Sequence, residues 1–422
     1  MKEDEDLIKL DEDEEKGISK ETNKKEEEEI RNIITKKYEN DQKLLSGDIM
    51  VSNFEDKGDY VVYTIKGDKI DGELKRRFSE FFAFYEKLKQ RWPGVYVPPI
   101  SKKQIFSNLS LDTLQKRKYQ LDRFVRELYK IPYLFESEES QIFFSKNYGI
   151  GTDKDLIKTL NKLTGLSKAQ MYENFENKIK PFYSDSKKRD FNDEQYGYCI
   201  QYIDNFIEKL NLYKETCLEF ANEKEIIINN SCETLQSYEN FEKLAVSEFI
   251  NKDTSKLMFY NSTNLKLSQA ILDFKKGMKN PYQILGHWIR QKEIELLSMK
   301  ESLNKYKKMY TEKENISSEI TSLETKLNNL NQGKKSFFDT ITFKDPEKLK
   351  EKYSKEKEQK EIDLDSLGKM LDILKDYYSF YIYEYFKLLK FSLYDLMKSF
   401  ADSQLNNSVK SSEFWLLVKI EE

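Results

Sequence analysis

Histidine occurs once (His287) and cysteine three times (Cys199, Cys217, Cys232) in 422 residues. That supply is too small for most His/Cys metal sites, for a histidine-centred acid–base site or for a disulfide framework. The three cysteines fall at apolar or neutral positions along one predicted helix and read as inert packing thiols. His287 stands beside Trp288 with no second His or nearby Cys, as a packed or surface histidine does. Glycine (14) and proline (7) are scarce as well, which permits long uninterrupted helices and excludes a turn-rich all-β chain. No apolar run approaches the roughly 20 residues that cross a bilayer. The acidic amino terminus lacks the apolar stretch of a signal peptide. The expectation is a cytosolic protein that touches membranes from outside. No glycine-rich phosphate loop or nucleophile elbow is present, so no catalytic residue, metal or cofactor is assigned.

What the chain has in abundance is charge, 35% of residues, against 38% hydrophobic. That balance suits solvent-rich helices better than a compact globule with a large core. The charge is unevenly placed. Residues 1–46 hold ten basic and sixteen acidic side chains, whereas residues 47–150 hold eighteen and fifteen. A net charge of −4 argues against general nucleic-acid binding, so an anionic partner must be met locally.

Residues 1–46 contain a single aromatic, Tyr38, and cannot bury enough apolar area to offset ordering entropy; they read as a disordered acidic tail. Residues 47–150 change character. Asp48–Val51 and Tyr60–Ile65 are rich in β-branched and aromatic residues, Lys66-Gly67-Asp68 and Asp71-Gly72 supply turn chemistry, and Glu73–Arg77 makes a third strand. Phe78, Phe81, Phe82, Tyr85 and Leu88 then form a helical stripe that Pro93-Gly94 stops. Val97-Pro98-Pro99-Ile100 reads as extended backbone, and a second helix carries Leu114, Leu121, Phe124, Val125 and Leu128 on one face. A short helix holding Phe143 and Phe144 closes this small α+β domain.

Residues 151–190 read as a linker. Within it, Asp155–Ala169 places Leu156, Leu160 and Leu163 on one side and lysines on the rest. Such a basic amphipathic helix either lies in a membrane interface or packs on a neighbour. From 191 to 422 three helices are expected, with breaks near 251–253 and 331–346 and a kink or interruption at Pro281. Apolar residues alternate in steps of three and four in each: Tyr196 to Phe220, Ile316 to Leu330, and Leu364 to Leu388. Stripes this long require an antiparallel bundle, completed by a second copy.

Lys75-Arg76-Arg77-Phe78-Ser79-Glu80-Phe81, followed by Val97-Pro98-Pro99-Ile100, Arg117–Phe124 and Ile131-Pro132-Tyr133-Leu134, closely resembles the PX domain. A PX domain followed by three long helices resembles the PX-BAR sorting nexins. Asp345-Pro346-Glu347-Lys348 and Phe414-Trp415 also look like that group. The implied fold is an α+β PX domain, with a small three-stranded antiparallel sheet, followed by an all-α elongated three-helix BAR-type antiparallel coiled coil.

The resemblance implies recognition of phosphatidylinositol 3-phosphate. Arg77 matches the arginine that grips the 3-phosphate, Phe78 the aromatic against the inositol ring, Lys103 the lysine that reaches the 1-phosphate, and Arg117 the arginine that bonds the ring hydroxyls. Ser101 stands where the family often has a second proline, which leaves the Lys103 loop less rigid and lets Lys102 compete. Ile105 and Phe106 match the loop that dips into the membrane. Lys334 and Lys335 fall in the loop that lies toward the tips of a BAR rod, or else in an ordinary basic loop. The implied partners are a second chain, as a homodimer or as a heterodimer with another PX-BAR protein, and endosomal membranes on their cytosolic face. The cargo is not implied. The competing expectation is a helical dimeric scaffold whose PX domain mainly docks proteins.

Overall fold

The computed structural model describes residues 49–70, 72–100, 111–152, 154–163, 165–183, 190–248, 265–332 and 346–418. The acidic tail 1–46, Lys103, Ile105, Phe106, Lys334 and Lys335 lie outside the described residues. The chain divides into two compact units, Met1–Lys87 with Ile100–Leu163, and Leu88–Pro99 with Thr164–Glu422.

The first unit is built on an antiparallel sheet in the order β1 (Met50–Asp56), β2 (Val61–Lys66), β3 (Leu74–Arg77). Helix α1 (Phe78–Arg91) follows β3 directly. Helices α2 (Leu111–Tyr129), α3 (Pro132–Phe135), α4 (Glu138–Phe143) and α5 (Leu156–Lys162) follow among the described residues. α2 packs on β1, and Asp122 accepts from the Val51 amide at 2.7 Å. The core is aromatic: Phe84 stacks on Phe143 at 4.2 Å, and Phe81 meets Phe124 and Phe143 edge to face. Each fully buried phenylalanine contributes about 2 kcal/mol, with a further fraction from ring geometry. The inward face of α1 centres on Phe81 and Phe84, and Phe78, Phe82 and Tyr85 flank it half-buried.

The amphipathic helix expected over Asp155–Ala169 is two helices. Asp155 caps α5 through the Lys158 amide, the helix ends at Lys162, and Ser167 opens α6 (Lys168–Lys178) with a capping box through Gln170. Leu156 and Leu160 are 1% and 0% exposed, and α5 packs against α4. Burial against protein therefore corrects the assignment of Leu156 and Leu160 to a membrane interface; Leu163 is half-buried. Of the two readings, the packed helix is the one the chain adopts, because two leucines one turn apart are better removed from water by protein already beside them.

Among the described residues the second unit holds α6, α7 (Lys180–Tyr183) and four longer helices: α8 (Asp193–Glu248), α9 (Leu265–Gly277), α10 (Pro281–Asn331) and α11 (Pro346–Val418). α10 runs antiparallel to α8, as Tyr196–Asn304, Lys214–Glu293 and Gln283–Glu225 contacts show. It runs antiparallel to α11 as well, through Trp288–Ser392, Tyr378–Ser302 and Lys357–Glu324. Pro281 opens α10 at its first turn, where a missing amide leaves no bond unmade. Asn407 braces that break, accepting from the Lys279 amide at 3.0 Å and donating to its carbonyl at 2.7 Å. Residues Trp92–Val97 belong to this unit: Tyr378 Oη donates to the Gly94 carbonyl at 2.6 Å and Ser298 Oγ to the Val97 carbonyl at 2.8 Å. Gly94 has φ +81°, and a Cβ there would lie 2.9 Å from Leu374 Cδ1, so only glycine fits. No described helix is long and apolar enough to cross a membrane.

Candidate functional site

Three consecutive cations, Lys75, Arg76 and Arg77, end β3, and strand alternation gives them different tasks. Lys75 faces out and pairs with Glu55 at 3.4 Å. Arg76 faces in and is 1% exposed. Its guanidinium donates to the carbonyls of Phe143 (3.0 and 2.8 Å), Ser145 (2.6 Å), Tyr148 (2.9 Å) and Lys75 (2.9 Å). Burial lowers its pKa to about 10, against the pull of Glu80, so it stays charged at neutral pH. Arg76 is a structural staple that fastens the segment after α4 to the sheet. Gly149 has φ +95° and a Cβ there would meet Arg76 Nη1 at 2.7 Å, so the staple also demands that glycine.

Arg77 is half-buried. Its guanidinium carbon lies 3.7 Å from the centre of the Tyr60 ring, and its Nε is buried with no hydrogen-bond partner. The Arg77 amide donates to Glu80 Oε2 at 2.7 Å, which fixes the backbone where strand becomes helix. Burial holds the Glu80 carboxyl above the usual carboxylate range, with that amide bond and the charges of Arg76 and Arg77 pulling it back. A polar cleft of about 480 Å³ opens beside Arg77, walled by Tyr60, Glu80, Thr152 and Asp155.

Phe78 and Arg117 form a second pair. The Arg117 guanidinium carbon sits 4.3 Å from the centre of the Phe78 ring, and Arg117 is buried. Its charge opposes the burial that raises the Tyr63 pKa. Of the expected headgroup residues, the structure thus joins Phe78 to Arg117 and gives Arg77 a different aromatic, Tyr60. Tyr60 and Glu80 were not singled out in the sequence. Arg77 pairs with Val62 across the sheet, so Tyr60 is its diagonal neighbour on the same face; the turn motifs between β2 and β3 mark the connection but not that register. The Glu80 signal was legible: a Glu three residues after a helix N-cap is half of a capping box.

Among the described residues no group of His, Cys, Asp and Glu is arranged to hold a metal ion. The described residues thus give a stacked guanidinium, Arg77, with a buried, unmatched donor beside a cleft that also carries the Glu80 and Asp155 carboxylates, and a second guanidinium, Arg117, held on α2 against Phe78.

The family model of the PX domain matches residues 67–147. The chain is 30% identical over 143 residues to sorting nexin-4 of Eremothecium gossypii and 33% identical over 79 residues to sorting nexin-4 of Candida albicans. These matches cover 31% and 18% of this chain, and only 34% and 12% of those relatives. The cryo-EM structure of the SNX-BAR Mvp1 tetramer aligns over 88% of this chain and 100% of that one, with TM-score 0.53 at 16% identity. Residues 67–147 thus match the PX domain, and over 88% of its length the chain shares the fold of the SNX-BAR Mvp1 structure.

Proposed function

We propose that this chain is a non-catalytic peripheral membrane protein that binds phosphatidylinositol 3-phosphate through residues 47–150 and senses or induces curvature as a dimer of residues 191–422. Its place is the cytosolic face of endosomal membranes, in sorting and trafficking. Arg77 carries the reading. A guanidinium stacked on Tyr60 with a buried, unpartnered Nε is an incomplete hydrogen-bond arrangement, and a phosphate monoester completes it with a charge-assisted, bidentate contact. The roles of Arg117 at the ring hydroxyls and of Phe78 against the inositol ring follow from the family resemblance; in the structure the two side chains lie against each other. The proposed roles of Lys103 at the 1-phosphate, and of Ile105, Phe106, Lys334 and Lys335 at the bilayer surface, follow from the family resemblance alone.

The test is sedimentation with liposomes containing phosphatidylinositol 3-phosphate, against liposomes matched in charge with phosphatidylserine, at near-physiological salt. Wild type should prefer the phosphoinositide, and Arg77→Ala, with an unchanged thermal transition, should lose that preference. Equal binding of both liposomes by both proteins would mean electrostatic attachment without headgroup reading. Binding by neither would leave the docking scaffold.

A further inference from the structure

The second unit contains a cleft of about 350 Å³ whose lining residues are not among those assigned to the headgroup. Its floor is apolar: Val97 is buried and Leu297 is exposed, on the segment before Pro98 and on α10 respectively. Its rim is basic. Lys89, Lys300, Lys305 and Lys308 line it, against a single carboxylate, Glu301. Glu301 is engaged by Lys89 at 2.6 Å, and Lys300 pairs with Asp204 outside the cleft. Lys305 and Lys308 are exposed, make no ion pair with the described residues, and stand three apart on α10, where like charges repel.

This combination is selective about what fits it. A flat bilayer surface meets lysine tips but does not fill a recess floored by Val97. A highly phosphorylated small molecule satisfies the lysines but leaves the apolar floor wet. A peptide with one bulky apolar side chain between carboxylates satisfies both. The volume is at the low end of ligand sites and holds one or two side chains.

We propose that this cleft binds an acidic peptide of a partner protein, which seats one aliphatic or aromatic side chain between Val97 and Leu297 and places its flanking carboxylates on Lys305 and Lys308. The site is independent of the Arg77 pocket: it needs no lipid.

Fluorescence anisotropy on the full chain tests it at physiological ionic strength. The probes are fluorescein-labelled peptides of alternating Asp and Glu with Leu, Phe or Trp at the centre, and the same peptide with Ser there. At least one apolar-centred peptide should bind with Kd on the order of 10–100 μM, and the Ser peptide about tenfold more weakly. Lys305→Glu with Lys308→Glu should reduce binding about tenfold or more, and these exposed positions leave the helical circular dichroism unchanged. Leu297→Ser should abolish the difference between Leu and Ser centres while keeping the charge-driven part. Equal affinity for all centres, or no effect of the lysine pair, overturns the proposal. So does the absence of binding by any peptide up to about 1 mM, the range of chance encounters. If instead the lysine pair alters only binding to phosphatidylserine vesicles, the rim is a membrane contact and the proposal fails.

Discussion

Arg76 and Arg77 are neighbours of identical chemistry, and one strand step separates a staple from a half-buried guanidinium stacked on Tyr60. The Arg76 side chain is fully satisfied by four carbonyls, whereas Arg77 holds a buried donor in reserve. Arg77 was legible as a candidate from the family motif alone. What holds Arg77 in place was not, because Tyr60 reaches it only through sheet register. Tyr60→Ala removes the surface on which the guanidinium lies and should lower the phosphatidylinositol 3-phosphate preference of liposome binding by roughly three- to tenfold, the worth of about 1 kcal/mol in an aromatic–cation contact. Tyr60→Phe keeps the ring and should bind as wild type. A Tyr60→Ala protein with full preference would show that Arg77 needs no such support.

Glu80 permits a pH test at the same scale. Burial favours its protonated form in the fold, so its contribution to stability is full below the ordinary carboxylate pKa and is lost as pH rises through the raised folded value. Glu80→Gln retains an acceptor for the Arg77 amide and removes the buried charge. Its urea midpoint should therefore gain on wild type between about pH 4 and pH 7. A variant weaker than wild type by the same margin at both pH values would show that Glu80 acts as an ionised anchor instead.

At the scale of elements, propensity and punctuation located helices well, and packing decided which side of each helix was used. Pro281 was expected to interrupt a helix and does so as the first residue of α10. The stripe predicted along α11 holds through Leu367, Leu371, Leu374 and Tyr378, all buried, and then moves to Ile382 and Leu389, leaving Leu388 exposed. One four-residue step replaces a three there, a drift expected of a straight helix whose period is 3.6 rather than 3.5. The Asp155–Ala169 helix failed for a different reason: Asp155 and Ser167 both cap, and two caps in one amphipathic run mark two helices.

Tyr378 shows what fixes the Trp92–Val97 segment. Its hydroxyl is buried between the Gly94 carbonyl and Ser302, and burial pushes its pKa well up, so it remains a neutral donor. Tyr378→Phe keeps the packing but leaves the Gly94 carbonyl without that donor. Chemical denaturation should record a loss of about 1–2 kcal/mol. No change would mean that water or a backbone shift replaces the bond at no cost.

On the scale of the whole molecule, the helices retain more apolar surface than one chain covers. On α8, Leu212 and Phe241 are both 67% exposed, with Ile226, Ile227 and Leu244 also uncovered. On α11, Tyr394 is 70% exposed, and Leu405, Trp415 and Leu416 are exposed with it. Single exposed apolar residues are ordinary, but repeated ones along two long helices are the mark of an interface. The first stripe read in the sequence, Tyr196 to Phe220, is accordingly only half used within the chain: Ile203, Leu210 and Cys217 are buried while Tyr213 and Phe220 are not. A second chain is the simplest cover, because it presents the same two stripes. Sedimentation equilibrium should therefore give a dimer at micromolar concentration. Phe241→Glu with Leu405→Glu should give a monomer of unchanged helicity, since both sites are solvent-facing in the single chain. That monomer should also bind phosphatidylinositol 3-phosphate liposomes at least tenfold more weakly, because two linked headgroup contacts reinforce each other and one does not. A wild-type monomer at tens of micromolar would remove the dimer from the proposal. A dimeric double variant would place the interface elsewhere on these helices.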